Sequence, residues 1–284
     1  MRTVTRLYKP HLSALEEAAR RLIVGWRDPS AYAFYAKLLA DGFAPNRHID
    51  VLPKHRVIYV CVPKNASSRI KMTLSALLGH SVTSDWAANK RKLSGLKAPK
   101  HVGLTLFHGL ATDPDGLRFS FVRNPYARLV SCWTNKFRDK PLVPTYPAVD
   151  SYLAWRQNND RSLPSGAVRT LRFEEFVNFA TATADERIDS HWNLQADLLD
   201  MPGIKLNLIG KIETFDKDFM HVLDHVRADD ALRTDAVKPI NMSDQEGWSN
   251  YYTTELANRV YKAYERDFDR FRYSRKIPSN LTGA

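Results

Sequence analysis

The feature that most constrains this chain is a unit that occurs twice: an apolar run without alternation, a short polar turn, and then a segment of helical period. In "RVIYVCVPKNASSRIKMTLSALLG" the run from Arg56 to Val62 reads as a strand buried on both faces of a parallel sheet. Ile70, Leu74, Leu77 and Leu78 then share one helical face, and Gly79 closes the helix. In "LRFSFVRNPYARLVSCWTNKF" the strand gives way to Asn124 as an N-cap, Pro125 at the first helical position, and a helix beyond. Two such units specify an α/β fold, a parallel sheet flanked by helices. "IKLNLIGKIETF" supplies a third strand, with an acidic helix start at Asp216 and Asp218. Leu256, Val260, Tyr264, Phe268 and Phe271 mark a long amphipathic helix near the end.

Residues 1–50 read as an N-terminal helical extension and residues 51–284 as the main domain. In the extension Leu12, Leu15, Ala19, Leu22 and Trp26 recur at helical spacing, and "SAYAFYAKLLADG" is a second helix closed by Gly42. Packing against the main domain is the expected role; a basic surface touching a membrane or a glycolipid is the alternative. Three irregular stretches, residues 81–101, 138–150 and 158–169, have the Gly, Pro and basic punctuation either of substrate loops and lids or of disordered segments.

Both strand-to-helix turns carry side chains suited to an anion. In open α/β sheets ligands sit beyond the carboxyl ends of strands, where helix N-termini present free N–H groups and positive dipole. At the first turn Pro63, Lys64, Asn65, Ala66, Ser67, Ser68 and Arg69 form the loop, with Lys71 just beyond. At the second, Arg123 offers a planar fork for phosphate, Arg128 follows one turn later, and Ser131 adds a hydroxyl. The nucleoside-triphosphate loop G-x-x-x-x-G-K-[ST] is not matched, because this loop lacks glycine and its Lys precedes the serines. Two separate grips suit a nucleotide with phosphates at both ends of its ribose. The net charge of +11 agrees with an anionic partner and leaves nucleic acid, membrane and nucleotide open. Two cysteines, Cys61 and Cys132, form neither a disulfide framework nor a metal cluster, so a reducing, cytoplasmic setting and no bound metal are expected. The glycosylation sequons at Asn65, Asn241 and Asn280 carry no weight in that setting.

"VPKNASSRIK" resembles the 5′-phosphosulfate loop, and "FVRNPYARLVS" the 3′-phosphate motif, of the carbohydrate sulfotransferases related to chondroitin and HNK-1 sulfotransferases, bacterial relatives included. Phe121, Val122, Arg123, Pro125, Arg128, Leu129, Val130 and Ser131 all fall in the second pattern. "FEEFVNF", "HWNLQ", "LIGKIETFDKD", "NMS" and the C-terminal "YYTTELANRVYKAYERDFDRFRY" extend the likeness from about residue 56 to residue 273. The resemblance implies the sulfotransferase fold and 3′-phosphoadenosine 5′-phosphosulfate as sulfonate donor. Lys64, Ser67 and Ser68 would surround the sulfonated end, while Arg123 and Ser131 would hold the 3′-phosphate. Arg69 and Ile70 stand where the animal enzymes usually carry Asn and Trp.

Sulfonate transfer to a hydroxyl needs a base within hydrogen-bond reach, and histidine is the natural group. His101 ranks first, because sulfotransferases of several types keep a basic catalytic residue upstream of the strand bearing Arg123. His108 ranks second and His191, in "HWNLQ", third. Lys211 and Glu213 read as a structural ion pair, and Cys132 as a helix-packing residue. The expected acceptor is a carbohydrate or glycolipid hydroxyl, with the protein at the inner face of the membrane if the basic N-terminal helix touches it. The rival readings are a basic nucleic-acid-binding protein, expected to show a steep salt dependence, and an atypical kinase, expected to need magnesium and ATP.

Overall fold

The structure is a computed structural model, and it describes residues 27–138, 147–159, 170–186, 188–237 and 247–277. The helix expected through Leu12 and Trp26, the sequons at Asn241 and Asn280, and most of residues 138–150 and 158–169 lie outside them. The strands and longer helices run α1 (Pro29–Ala40), β1 (Ile49–Leu52), β2 (Val57–Val60), α2 (Ser67–Leu77), α3 (Leu104–Thr112), β3 (Leu117–Val122), α4 (Pro125–Lys136), α5 (Pro147–Asn159), α6 (Phe173–Ala182), β4 (Leu208–Lys211), α7 (Phe215–His225) and α8 (Thr254–Arg270).

The four strands form one sheet in the order β1-β2-β3-β4. β2 and β3 are parallel, with Val57 opposite Leu117 and Tyr59 opposite Phe119; β3 and β4 are parallel, with Val122 opposite Lys211. Every residue of β2 and β3 is buried, which explains why their sequences do not alternate. Gly210 on β4 is required by close approach, since a Cβ there would lie 2.4 Å from the Phe121 ring. The first strand is shorter than its apolar run. Arg56 has φ +55, and its guanidinium is held by Asp113 and Asp115, so the chain is still turning at that point.

No local pattern in the sequence marks β1. "IDVL" is only four residues long and contains an acid, yet it pairs antiparallel with β2 across a single 3-10 turn at Pro53–His55. The proposed division at residue 50 therefore falls inside a strand, and the sheet takes residues from both sides of it.

Side chains from α2 and α7, including Ile70, Leu74, Phe215 and Phe219, cover one face of the sheet. α1 and α3 cover the other with Tyr35, Leu38, Phe107 and Leu110. α1 thus packs against the main body. A separate, aromatic-rich cluster joins α4, α5, α6 and α8 around Trp192. Among the described residues no helix is long and apolar enough to cross a membrane.

Candidate active site

Because β2 and β3 run parallel, their carboxyl ends open on the same side, and there lies a cavity of about 750 Å³. That is within the range of small-molecule sites, roughly 300 to 1,000 Å³. Pro63, Lys64, Ala66, Ser67, Ser68, Arg69, Arg123 and Ser131 line it. The structure thus brings together both predicted anion grips.

The first loop reaches its shape without glycine. Lys64 and Ala66 adopt φ +72 and +52, the left-handed conformation that glycine favours. Successive backbone N–H groups alternating through this region form an anion-binding concavity. Ala66 is also the N-cap of α2, where no side chain caps the helix, leaving the first-turn N–H groups of Ser67 and Ser68 for an incoming anion. α4 differs, since its N-terminus is closed by Asn124, whose side chain accepts from the Tyr126 N–H at 2.9 Å. The second grip therefore rests on side chains, Arg123 and Ser131, both buried and both facing the cavity.

Asn65 does not line the cavity. It is buried beneath the loop, where Nδ2 donates to the Phe121 carbonyl at 2.8 Å and to Gln195 Oε1 at 2.7 Å. Gln195 Oε1 also accepts from the Arg123 backbone N–H at 3.0 Å, while its Nε2 donates to the Arg123 carbonyl at 2.9 Å. Asp267 on α8 completes the network by accepting from the backbone N–H groups of Gln195 and Ala196. These bonds tie the two grips to one another. Burial also makes the Asn65 sequon irrelevant to modification.

Arg128 is not part of an anion grip. Fully buried, it donates to the carbonyls of Pro63, Asn193 and Ser190, at 3.3, 2.7 and 2.7 Å. It braces the loop from behind, satisfying carbonyls that would otherwise be orphaned. Lys71 is similarly engaged: its ammonium donates to Asn89 Oδ1 at 2.8 Å and lies 3.6 Å from Asp50. Arg69 stacks over the Phe215 ring at 4.5 Å and donates to the Ala236 carbonyl. Lys211 and Glu213 take separate partners instead of pairing: Lys211 lies over the Tyr273 ring, while Glu213 accepts from the Asn124 N–H and the Tyr273 hydroxyl.

The three histidines separate clearly. His101 Nδ1 accepts from the Ala98 N–H at 3.1 Å and caps a short turn. His108 rests its ring on Phe34. Neither lines the cavity, contrary to the order expected from sequence. His191 does, and its Nδ1 lies 2.5 Å from Asp189 Oδ1. Burial pushes the His191 imidazole below its usual pKa, with Asp189 opposing that shift, which favours the neutral ring. The carboxylate fixes the proton on Nδ1 and leaves Nε2 as an acceptor. Burial also lowers Lys64 to about 8.

A family profile described as the sulfotransferase family matches residues 47–274. The chain belongs to the sulfotransferase family. It is similar to carbohydrate sulfotransferase 11 of Danio rerio, 29% identical over 83% of this chain and 69% of that protein. It is 26% identical to carbohydrate sulfotransferase 11 of Mus musculus over the same shares, and 27% identical to carbohydrate sulfotransferase 14 of Danio rerio over 83% and 64%. No solved structure matches it.

In this sulfotransferase the profile covers both grips, the Asn65–Gln195–Asp267 network and His191. The sequence pattern marks the residues of both loops but neither the network nor the Asp189 partner. A clue to the network was present: Asp267 interrupts the apolar stripe of Tyr264, Phe268 and Phe271, and a carboxylate at such a position signals a buried partner. Both cysteines are free and buried.

Proposed function

We propose that this sulfotransferase moves a sulfonate from 3′-phosphoadenosine 5′-phosphosulfate to a hydroxyl of a carbohydrate acceptor. The observation that carries the reading is the convergence on one cavity of Lys64, Ser67 and Ser68 with Arg123, Ser131 and His191. The left-handed cradle and uncapped α2 N-terminus suit the 5′ end of such a donor, and the buried Arg123 and Ser131 suit a 3′-phosphate. The similarity to carbohydrate sulfotransferases 11 and 14 supports a sugar hydroxyl as acceptor.

The donor supplies an activated sulfonate on a phosphate leaving group. His191 Nε2 takes the proton of the attacking hydroxyl as the new oxygen–sulfur bond forms. Lys64 and the α2 N–H groups balance the charge that collects on the phosphate oxygen as its bond to sulfur breaks. Such transfer resembles phosphoryl transfer, in which positioning and electrostatics dominate. His191 replaces His101 and His108 as the proposed base because it alone of the three faces the cavity.

Purified protein incubated with radiolabelled donor and a panel of glycans, glycolipids and phenols, with mass spectrometry of the products, tests the reading. Labelled sulfonate is expected on a sugar hydroxyl. Transfer to phenols alone would overturn the carbohydrate assignment, and magnesium-dependent transfer of phosphate from ATP would overturn the reaction class.

A further inference from the structure

The cavity has one wall that none of the chemistry above uses. Residues 84–94, within a stretch whose sequence looks irregular, form two single-turn helices, Asp85–Ala88 and Arg91–Ser94. Asp85, Trp86, Ala88, Asn89, Lys90 and Arg91 line the cavity from this wing.

The wing is anchored from beneath by buried charge. Asp50, 1% exposed on β1, accepts from Arg91 Nε at 3.1 Å and Nη2 at 2.9 Å, and Arg91 also donates to the Ile49 carbonyl. Lys71 on α2 joins the same carboxylate and holds Asn89. Asn89 Nδ2 donates back to the Asp85 carbonyl, and Ser84 caps the first turn by accepting from the Ala87 N–H. Burying an ion cluster is a poor route to stability alone. Here it fixes the position of a short surface segment against strand β1 and helix α2.

What the anchored segment presents is an indole. Trp86 is 66% exposed, whereas Trp133 and Trp192 are 8% and 0% exposed. Lys90 lies 5.5 Å from the ring centroid. Asp85 and Trp86 line the same cavity as Lys64, at whose end of the site sulfonate would be transferred. Arg47 and Lys136 also line the cavity. A large flat apolar surface flanked by a carboxylate, an amide and an ammonium matches one ligand chemistry well. A pyranose ring has an apolar C–H face that stacks on an aromatic ring and hydroxyls that exchange hydrogen bonds with such groups.

We propose that residues 84–94 are the acceptor-binding element, with Trp86 as the platform on which a sugar ring of the carbohydrate acceptor stacks. The proposal rests on the carbohydrate reading above and adds the residue that selects for it. Trp86 is a positioning residue for the acceptor.

The test uses the full chain, the Trp86→Ala and Trp86→Phe variants, and two probes. One is an unsulfated hexasaccharide of alternating uronic acid and N-acetylhexosamine; the other is a neutral hexamer of N-acetylglucosamine. Calorimetry measures each, and 3′-phosphoadenosine 5′-phosphate is titrated in parallel. At least one hexasaccharide is expected to bind the wild type, to lose about tenfold or more in affinity in Trp86→Ala, and to recover most of it in Trp86→Phe. The nucleotide should bind all three proteins alike. Binding of neither sugar to the wild type, or equal binding to wild type and Trp86→Ala, overturns the proposal. A parallel loss of nucleotide affinity in Trp86→Ala also overturns it, by assigning the indole to the donor. Failure of the wild type to bind the nucleotide would instead sink the donor reading, and the sugar titrations would still decide the platform.

Discussion

Arg123 shows how a residue becomes selective through its surroundings. Its backbone N–H and carbonyl are both held by Gln195, and its side chain is buried, with burial lowering its pKa. A guanidinium removed from water interacts strongly with an anion that replaces the lost hydration. Arg123→Ala should weaken 3′-phosphoadenosine 5′-phosphate much more than adenosine 5′-phosphate. A charge-assisted contact is worth about 1.5 to 3 kcal/mol, so a selective loss of roughly tenfold or more is expected by calorimetry. Equal losses would remove Arg123 from the 3′-phosphate site. On the proposed mechanism Lys64 and His191 set the pH response. His191 must be neutral to accept a proton, and its pKa is lowered from 6.5, so kcat/KM should fall only on the acid side of that value. Lys64 must be charged, and its pKa is about 8, so kcat/KM should fall again above that pH. Lys64→Arg should abolish the alkaline limb, and a profile unchanged by that substitution would detach the limb from Lys64.

At the scale of elements, the loop between β2 and α2 departs furthest from what its sequence suggests. The absence of glycine argues against a phosphate loop, yet Lys64 and Ala66 take the conformations glycine would supply. A left-handed L-residue costs about 1 to 2 kcal/mol, while replacing it with glycine loses about 0.5 to 1 kcal/mol of chain entropy. Ala66→Gly is therefore expected to stabilise the protein by about 0.5 to 1 kcal/mol in urea unfolding; a marked loss of stability would show that the loop is not strained there. Local pattern made β2, β3, α2 and α4 legible, because burial on both faces and the Asn124-Pro125 start leave strong local marks. β1 was hidden because four residues with an acid do not resemble a strand until Arg91 and Lys71 are seen to neutralise Asp50. The Asn65–Gln195–Asp267 network was hidden for a different reason: its members are separated by 130 and 72 residues in the chain, and no local period reports such pairing. Of the three candidate histidines His191 alone lines the cavity, and distance in sequence from β3 does not report which side of the sheet end a side chain faces.

For the whole molecule, acidification should be destabilising before the carboxylates titrate. His48 is buried beside the cavity, and burial lowers its pKa from 6.5 to about 4. The unfolded chain takes up this proton first, so stability is full above pH 6.5 and falls as pH drops toward 4. The loss from this group is about 3 kcal/mol, at about 1.4 kcal/mol per pH unit. Urea unfolding at pH 7 and pH 4.5 should show most of that loss, about 2.5 kcal/mol, in the wild type and a smaller one in His48→Gln; equal pH dependence would assign the effect elsewhere.

The three apolar clusters have a further consequence. The loop of the first grip grows from the sheet clusters, whereas α4, with Ser131, belongs to the helical cluster around Trp192. A nucleotide held by both grips would straddle the seam between separately packed bodies and act as a removable staple. Ligand at a hundredfold excess over Kd adds about 2.7 kcal/mol to the stability of whatever it holds together. Amide hydrogen exchange should therefore slow on nucleotide addition along the whole joint, at Gln195, Ala196 and the adjoining end of α8, and not only at the loops that touch phosphate. Slowing confined to residues 63–69 and 123–131 would mean that the two bodies are already locked without ligand.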